Sequence, residues 1–283
     1  MYVSGEFILD AQKRQYAIPA FNVYNLETML AVVRAAAQVR SPVVIECSES
    51  ALEFMGLYRV VELVRDLALR EGKQIPIALH LDHGQTPQLI EQCIRAGFSS
   101  VHIDASQHPL EKNMRLVEPV VEMAHANKVW VQGEVGHVLG DYKVSTMSLG
   151  TLPLTEPTDA KMFVEETGVD ELAVAVGTAH GVYTQERIDP MLVAQIRMAV
   201  SVPLVLHGSS GNDPKKIQEA IANGICKINV GTDVKRTYLG AMTSAFAQAE
   251  TPGDPRAVVR PAIEAVAAMC LDRMHLFGSV GKA

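Results

Sequence analysis

Short apolar runs alternate along this chain with longer stretches whose apolar residues have helical spacing. The runs lie at 17–23, 43–48, 75–81, 100–104, 129–134, 171–176, 203–206 and 226–230. They are apolar at nearly every position rather than every second one, as in strands covered on both faces. Strands that alternate with helices make a parallel sheet. Eight such units predict an α/β fold closed into a (β/α)₈ TIM barrel, one domain over residues 1–283.

The junctions support this register. Gly97, Gly168 and Gly224 each stand just before a strand, where glycine ends the preceding helix in the left-handed conformation. Thr86-Pro87, Asp189-Pro190 and Asp213-Pro214 each set an N-cap residue before a proline at the first helical position. A long connection at 136–159 interrupts the rhythm after strand five, and a loop of that length in a barrel usually serves function. A further helix is predicted at 254–274.

In barrels the active site forms at the C-terminal ends of the strands. Polar residues gather at those ends here. Strand one ends in Asn22, strand two in Glu46-Cys47-Ser48, strand three in His80-Leu81-Asp82-His83-Gly84. Strand four ends in His102-Ile103-Asp104 and strand five in Gln132-Gly133-Glu134. Strands six and seven run into Thr178-Ala179-His180-Gly181 and His207-Gly208-Ser209-Ser210-Gly211. Strand eight ends in Asn229-Val230-Gly231-Thr232-Asp233. Random placement would scatter these groups, so the pattern points to an enzyme.

His83, His180 and His207 arise from three different strands, each beside a glycine, and can converge on one point. Three histidines with an open fourth position form a catalytic zinc arrangement. Any one of them alone reads equally well as a hydrogen-bonded strand-end histidine. His80 and Asp82 share a strand face under period two. Asp82 beside a metal can transfer a proton, or it can orient a ligand histidine. Asp104 and Glu134 are further acids on neighbouring strands, suited to a second metal position, to charge tuning or to orienting ligands. The glycine turns after strands seven and eight lie where barrels commonly hold phosphate on backbone N–H groups. A Schiff-base route needs a lysine at the barrel mouth. Strand six has none, and Lys227 stands early in strand eight.

Composition narrows the class. Hydrophobic residues make up 48% of the 283, enough for a large core, and the net charge of −7 argues against a nucleic-acid surface. The four cysteines are widely spaced, which disfavours a zinc ribbon or a disulfide scaffold. No run reaches the roughly 20 apolar residues of a membrane span, and residues 1–20 hold charges rather than a signal-like apolar stretch. The expectation is a cytoplasmic protein with no membrane partner.

Several segments resemble the class II fructose- and tagatose-bisphosphate aldolases. They are Ile75-Pro-Ile-Ala-Leu-His-Leu-Asp-His-Gly84, Ala175-Val-Gly-Thr-Ala-His-Gly-Val-Tyr183, Leu206-His-Gly-Ser-Ser-Gly211 and Lys227-Ile-Asn-Val-Gly-Thr-Asp233. Ala20-Phe-Asn-Val23 and the ending Phe277-Gly-Ser-Val-Gly-Lys-Ala283 are also similar. The resemblance implies a reversible cleavage of a ketose (bis)phosphate to dihydroxyacetone phosphate and an aldehyde. It implies Zn²⁺ on His83, His180 and His207, with Asp82 moving the proton of the hydroxyl that becomes the aldehyde. Gly181, Gly208, Ser210, Asn229 and Thr232 would hold the dihydroxyacetone phosphate half, with Asn22, Ser48 and Gly231 also at the substrate. A monovalent cation, Na⁺ or K⁺, and a homodimer or homotetramer are further family expectations.

The chain departs from the family in three places. The fifth-strand motif usually reads Glu-x-Glu-Leu-Gly; here it is Gln132-Gly-Glu-Val-Gly136. The acidic pair of the following loop aligns with Tyr142 and Lys143, beside Asp141. After strand eight Gly231 replaces the aspartate of fructose-type enzymes and is closer to the alanine of tagatose-type ones. These departures keep open a non-standard sugar phosphate as substrate. A barrel metal hydrolase or epimerase would keep the histidines without carbon–carbon cleavage, but strand one lacks the H-x-H of such hydrolases. A catalytically silent subunit of an aldolase complex would be expected to have lost ligands, yet the three histidines and Asp82 are all present.

Overall fold

The computed structural model describes residues 1–136, 138, 154–178, 188–248 and 254–283. Its strands are β1 Ile18–Asn22, β2 Val43–Ser48, β3 Ile77–Gly84, β4 Ser100–Ile103, β5 Trp130–Val135, β6 Glu171–Val174, β7 Leu204–Leu206 and β8 Ile225–Val230. They pair in sequence order, all parallel, and β8 pairs with β1 to close the barrel. The predicted (β/α)₈ architecture is therefore the observed one. The third strand differs most from expectation: it begins after Pro76, which has no N–H to give, and continues through His83 to Gly84.

The caps form as their sequences demand. Thr86 Oγ1 accepts from Leu89 N–H, and the Asp189 and Asp213 carboxylates accept from the first turns of their helices. Each relieves backbone donors that a helix start leaves unpaired. The helix Pro255–Leu276, capped by Asp254, packs on Leu26–Val39 and on Thr232–Gln248.

The barrel interior is layered. At its floor Ile18, Ala20, Val44, Ala78 and Cys226 pack against Ile8, Ala11 and Tyr16 of the N-terminal segment, which plugs that end. One layer up, the in-register set Asn22, Glu46 and His80 begins the polar zone. Glu46, His80, Gln132, Glu171 and Lys227 are all fully buried there. The mouth comes next, with Asp82, Asn229 and His207. The four cysteines are free and buried, and among the described residues no helix is long and apolar enough to cross a membrane.

Candidate active site

A bulge builds the centre of the mouth. Strict alternation would place Asp82 and His83 on opposite faces of β3. The β3–β4 register shifts between Leu81 and Gly84, and His83 adopts φ +51°. That left-handed backbone costs a non-glycine residue about 1–2 kcal/mol. It is held by the His83 N–H donating to His102 Nδ1 (3.4 Å) and by the His83 ring donating from Nδ1 to Asp104 Oδ2 (2.8 Å). A carboxylate at that distance fixes the ring, when neutral, with its hydrogen on Nδ1 and its lone pair on Nε2. Both side chains now face one point: His83 Nε2 lies 3.7 Å from Asp82 Oδ1.

His207, just beyond β7, meets His83 there. Its Nδ1 is 3.0 Å from His83 Nε2. Its backbone carbonyl accepts from Thr178 Oγ1 at 2.7 Å, which anchors the residue. Two nitrogens on one tetrahedral zinc would stand roughly 3.3 Å apart, so these rings are gathered close to a ligand spacing. Asp82, His83, His102 and His207 each offer a donor atom within 4.8 Å of the others, as do His83, His102, Asp104 and Glu134. Imidazole nitrogens with carboxylates suit zinc and its neighbours in the first transition row. The buried His102 Nε2 and Glu134 Oε2 have no hydrogen-bond partner and lie 3.8 Å apart. The residues present fit a divalent metal.

The electrostatics agree. Burial opposes a charge on His83, but Asp82, the hydrogen bond to Asp104, and Glu134 together raise its pKa to about 10. A site that attracts a proton this strongly in the absence of metal also attracts a cation. Burial works against the Asp104 anion, yet the His83 hydrogen bond, with His102 and Ser106, holds its carboxyl well below the usual range. Glu134 moves the other way, to about 8, through burial and then the Asp104 charge. His102 falls to about 3 through burial and then His83, so it stands neutral.

Asp82 is 7% exposed and is held by two amides. Asn22 Nδ2 donates to Oδ2 at 2.7 Å, and Asn229 Nδ2 approaches Oδ1 at 3.4 Å. Gly231 stands over the same amide: a Cβ there would meet Asn22 Oδ1 at 2.8 Å. The Gly208–Gly211 turn is shaped by φ +65° and +88° at its two glycines. Ser210 is buried within it, and the neighbouring Ser209 Oγ donates to the Asn229 carbonyl at 2.9 Å. Thr232 opens the helix Thr232–Gln248. Ser48 caps the helix Glu49–Met55, its Oγ accepting from Ala51 N–H.

Thus Asn22, Asp82, His83, Asp104, Glu134, His207, Gly208, Ser210, Asn229, Gly231 and Thr232 all lie around the C-terminal end of the barrel. Ser48 is also at that end, with its Oγ 3.1 Å from Ser50 Oγ. His180 and Gly181 lie outside the described residues, as do Asp141, Tyr142 and Lys143.

The sequence reading gave no role to the layer beneath. Lys227 Nζ donates to Glu171 Oε1 and to Gln132 Oε1, each at 2.7 Å, and stands 3.6 Å from Glu46 Oε1. Burial and the Asp82 charge push Glu46 well above the ordinary carboxyl range. A signal for this layer existed: Glu46, His80, His102, Gln132 and Lys227 each precede a mouth residue by two positions.

Comparison with known proteins places these observations in context. Residues 4–282 match the family model described as class-II fructose-bisphosphate aldolase. A fructose-bisphosphate aldolase of Giardia intestinalis is 38% identical over 301 residues, covering 97% of this chain and 92% of that protein. The crystal structure of the YdjI aldolase from Escherichia coli K12 is 31% identical with a TM-score of 0.87, covering 100% of both chains. A fructose-bisphosphate aldolase from Campylobacter jejuni shares the fold at 24% identity and a TM-score of 0.84, over 100% of this chain and 97% of that one.

Proposed function

This chain belongs to the class II fructose-bisphosphate aldolase family, and on that footing we propose that it is a zinc-dependent aldolase whose single barrel domain reversibly splits a phosphorylated ketose into dihydroxyacetone phosphate and an aldehyde. The observation that carries the reading is the meeting of His83 Nε2 and His207 Nδ1 at 3.0 Å, with the Asp82 carboxylate 3.7 Å from the former. His180 completes the proposed ligand set.

A zinc ion on these histidines supplies Lewis acidity toward a ketose carbonyl and the negative charge that grows on its oxygen as the carbon–carbon bond breaks. Asp82 takes the proton from the hydroxyl that becomes the aldehyde. Its two oxygens point where Asn22 and Asn229 hold them, so the base does not have to be ordered during the reaction. Asp104 orients His83, and the Glu134 carboxyl group lies beside the same site, 3.8 Å from His102 Nε2. The backbone N–H groups of the Gly208–Gly211 turn and of the Gly231-Thr232 helix start, with Gly181, suit the phosphate of the dihydroxyacetone half. A Na⁺ or K⁺ ion beside these turns would ease the crowding of charge.

Beside Gly231 a cavity of about 390 Å³ is lined by Tyr24, Asn25, Ser50, Phe54, Lys235 and Tyr238. Lys235 gives that side a cation suited to the far end of a phosphorylated ketose, and Gly231, lacking the aspartate of fructose-type enzymes, leaves the acceptor side more open. We therefore read the acceptor half as the part that distinguishes this enzyme. A homodimer or homotetramer fits the helix Thr232–Gln248, which buries Val234 and leaves Leu239 and Phe246 each 62% exposed.

The deciding experiment offers purified protein a panel of ketose 1-phosphates and 1,6-bisphosphates and measures released dihydroxyacetone phosphate before EDTA, after EDTA and after zinc restoration. Release that EDTA abolishes and zinc restores supports the reading and ranks the acceptors. No release from any substrate by zinc-loaded protein refutes it.

A further inference from the structure

Two carboxyl groups beneath the mouth, Glu46 and Glu171, share one ammonium. Lys227 is the only lysine or arginine buried among the described residues, and its Nζ donates at 2.7 Å to Glu171 Oε1 and to Gln132 Oε1. Glu46 Oε1 stands farther off, 3.6 Å from Nζ, and neither Glu46 oxygen has a hydrogen-bond partner. His80 is half satisfied: its Nδ1 meets Ser100 Oγ at 2.7 Å, while its buried Nε2 has no partner. Glu46 and His80 are both fully buried, and three unpaired polar atoms in so dry a place call for a common partner. The strands bring them together. Glu46 and His80 are direct neighbours across β2 and β3, and Asp82 stands two positions beyond His80 on the same interior face. Glu46, His80 and Asp82 each offer a ligand atom within 4.8 Å of the other two. Ligand atoms on one tetrahedral zinc stand roughly 3.3 Å apart, so the 4.8 Å limit closes by at most about 1.5 Å on binding.

We propose that Glu46, His80 and Asp82 form a second divalent-cation site beneath the first, and that its occupation withdraws Asp82 from proton transfer. One imidazole nitrogen with two carboxylates suits zinc and its first-row neighbours, whereas Mg²⁺ and Ca²⁺ favour oxygen alone. Ser100 Oγ accepts from His80 Nδ1 when Nε2 carries the metal, the kind of partner that orients a ligand histidine. The cation displaces the proton that burial keeps on the Glu46 carboxyl, and that proton leaves to solvent. Asp82 is the wall between the two sites: on the mouth side its Oδ1 lies 3.7 Å from His83 Nε2. A carboxylate that also binds a second cation is a weaker base, because the nearby positive charge favours its charged form over its protonated one. The first cation therefore activates the enzyme and the second silences it, so turnover falls when free metal is in excess.

This inference deepens the zinc-aldolase reading and rests on it. In the test, crystals of the metal-free full chain are soaked in zinc and anomalous scattering locates the ions, while equilibrium dialysis with metal analysis counts them in solution. Expected are two peaks, one at His83 and His207 and one among Glu46, His80 and Asp82, with two equivalents bound per chain. Release of dihydroxyacetone phosphate, on the substrate that the ketose panel selects, should rise to the first equivalent and fall with the second. The fall should reach about 10²–10⁴-fold at full occupancy, the range of a lost general base. Glu46→Gln and His80→Gln should each bind one equivalent, at the upper position. A peak at His83 and His207 alone, or a lower peak in the crystal with one equivalent in solution, overturns the second site and leaves the zinc reading intact. Two equivalents with undiminished release overturn the withdrawal of Asp82. No peak at the histidines overturns the zinc reading itself. If neither variant folds, the wild-type peaks and stoichiometry decide alone.

Discussion

Replacing Asp104 by asparagine changes one oxygen to an amide, and the surrounding donors determine which one. Asp104 Oδ1 accepts from the backbone N–H of Ser106 (3.1 Å) and from its Oγ (2.7 Å), while Oδ2 accepts from His83 Nδ1 (2.8 Å). The Ser106 backbone N–H is a fixed donor, so the single carbonyl oxygen of the new side-chain amide must stay on that side. The NH₂ then faces His83 Nδ1, which has to become an acceptor. The ring then keeps its hydrogen on Nε2, the nitrogen that faces His207 and the proposed metal. One negative charge also leaves the group that raises the His83 pKa. Loss of a ligand's orienting partner costs about 10–100-fold in metal affinity, or about 1.4–2.8 kcal/mol. Chelator competition on the purified Asp104→Asn variant measures the change, and circular dichroism verifies the fold. Zinc affinity within about twofold of wild type would refute the orienting role. A loss beyond about a thousandfold, well outside that range, would instead make Asp104 a direct ligand.

Asp82→Asn should keep its zinc but lose about 10²–10⁴-fold in kcat, the range of a general acid–base group; unchanged turnover at full zinc content would remove Asp82 from the proton step. Gly231→Ala sets a Cβ 2.8 Å from Asn22 Oδ1 and should displace the amide that holds Asp82, lowering kcat by more than it raises KM; an equal kcat would show that Asn22 has room to move. The pH dependence follows from two groups whose native pKa values are raised, His83 to about 10 and Glu134 to about 8. Between their unfolded and native values the folded state binds more protons than the unfolded one, so metal-free stability is greatest at low pH in this window and falls as pH rises. Below about pH 6.5 the lowered His102 pKa opposes the Glu134 effect, so the metal-free melting temperature should decline from about pH 6.5 to about pH 10, where His83 and Glu134 act in the same direction. Zinc must displace the His83 proton, so its affinity should rise over the upper part of the same range. A metal-free melting temperature that climbs from about pH 7 to about pH 10 would contradict the His83 shift.

The sequence by itself determined the barrel. Eight runs apolar at nearly every position can be satisfied only as strands covered on both faces, and the caps at Thr86, Asp189 and Asp213 follow from the local hydrogen-bond needs of helix starts. It also determined which end carries chemistry, because Asn22, Asp82, His83, His207 and Asn229 all fall at strand C-termini. Tertiary structure decided how those residues meet. Alternation along β3 separates Asp82 from His83; a bulge with His83 at φ +51° brings them together, and its partners, Asp104 and His102, come from another strand. The hydrogen bonds of the layer beneath were equally hidden. Lys227, Gln132 and His207 are 95 and 75 positions apart in their successive pairs, and β8, β5 and β7 bring them into one line across the barrel interior. A local pattern fixes which face a side chain occupies, but which donor finds which acceptor depends on the register and closure of all eight strands.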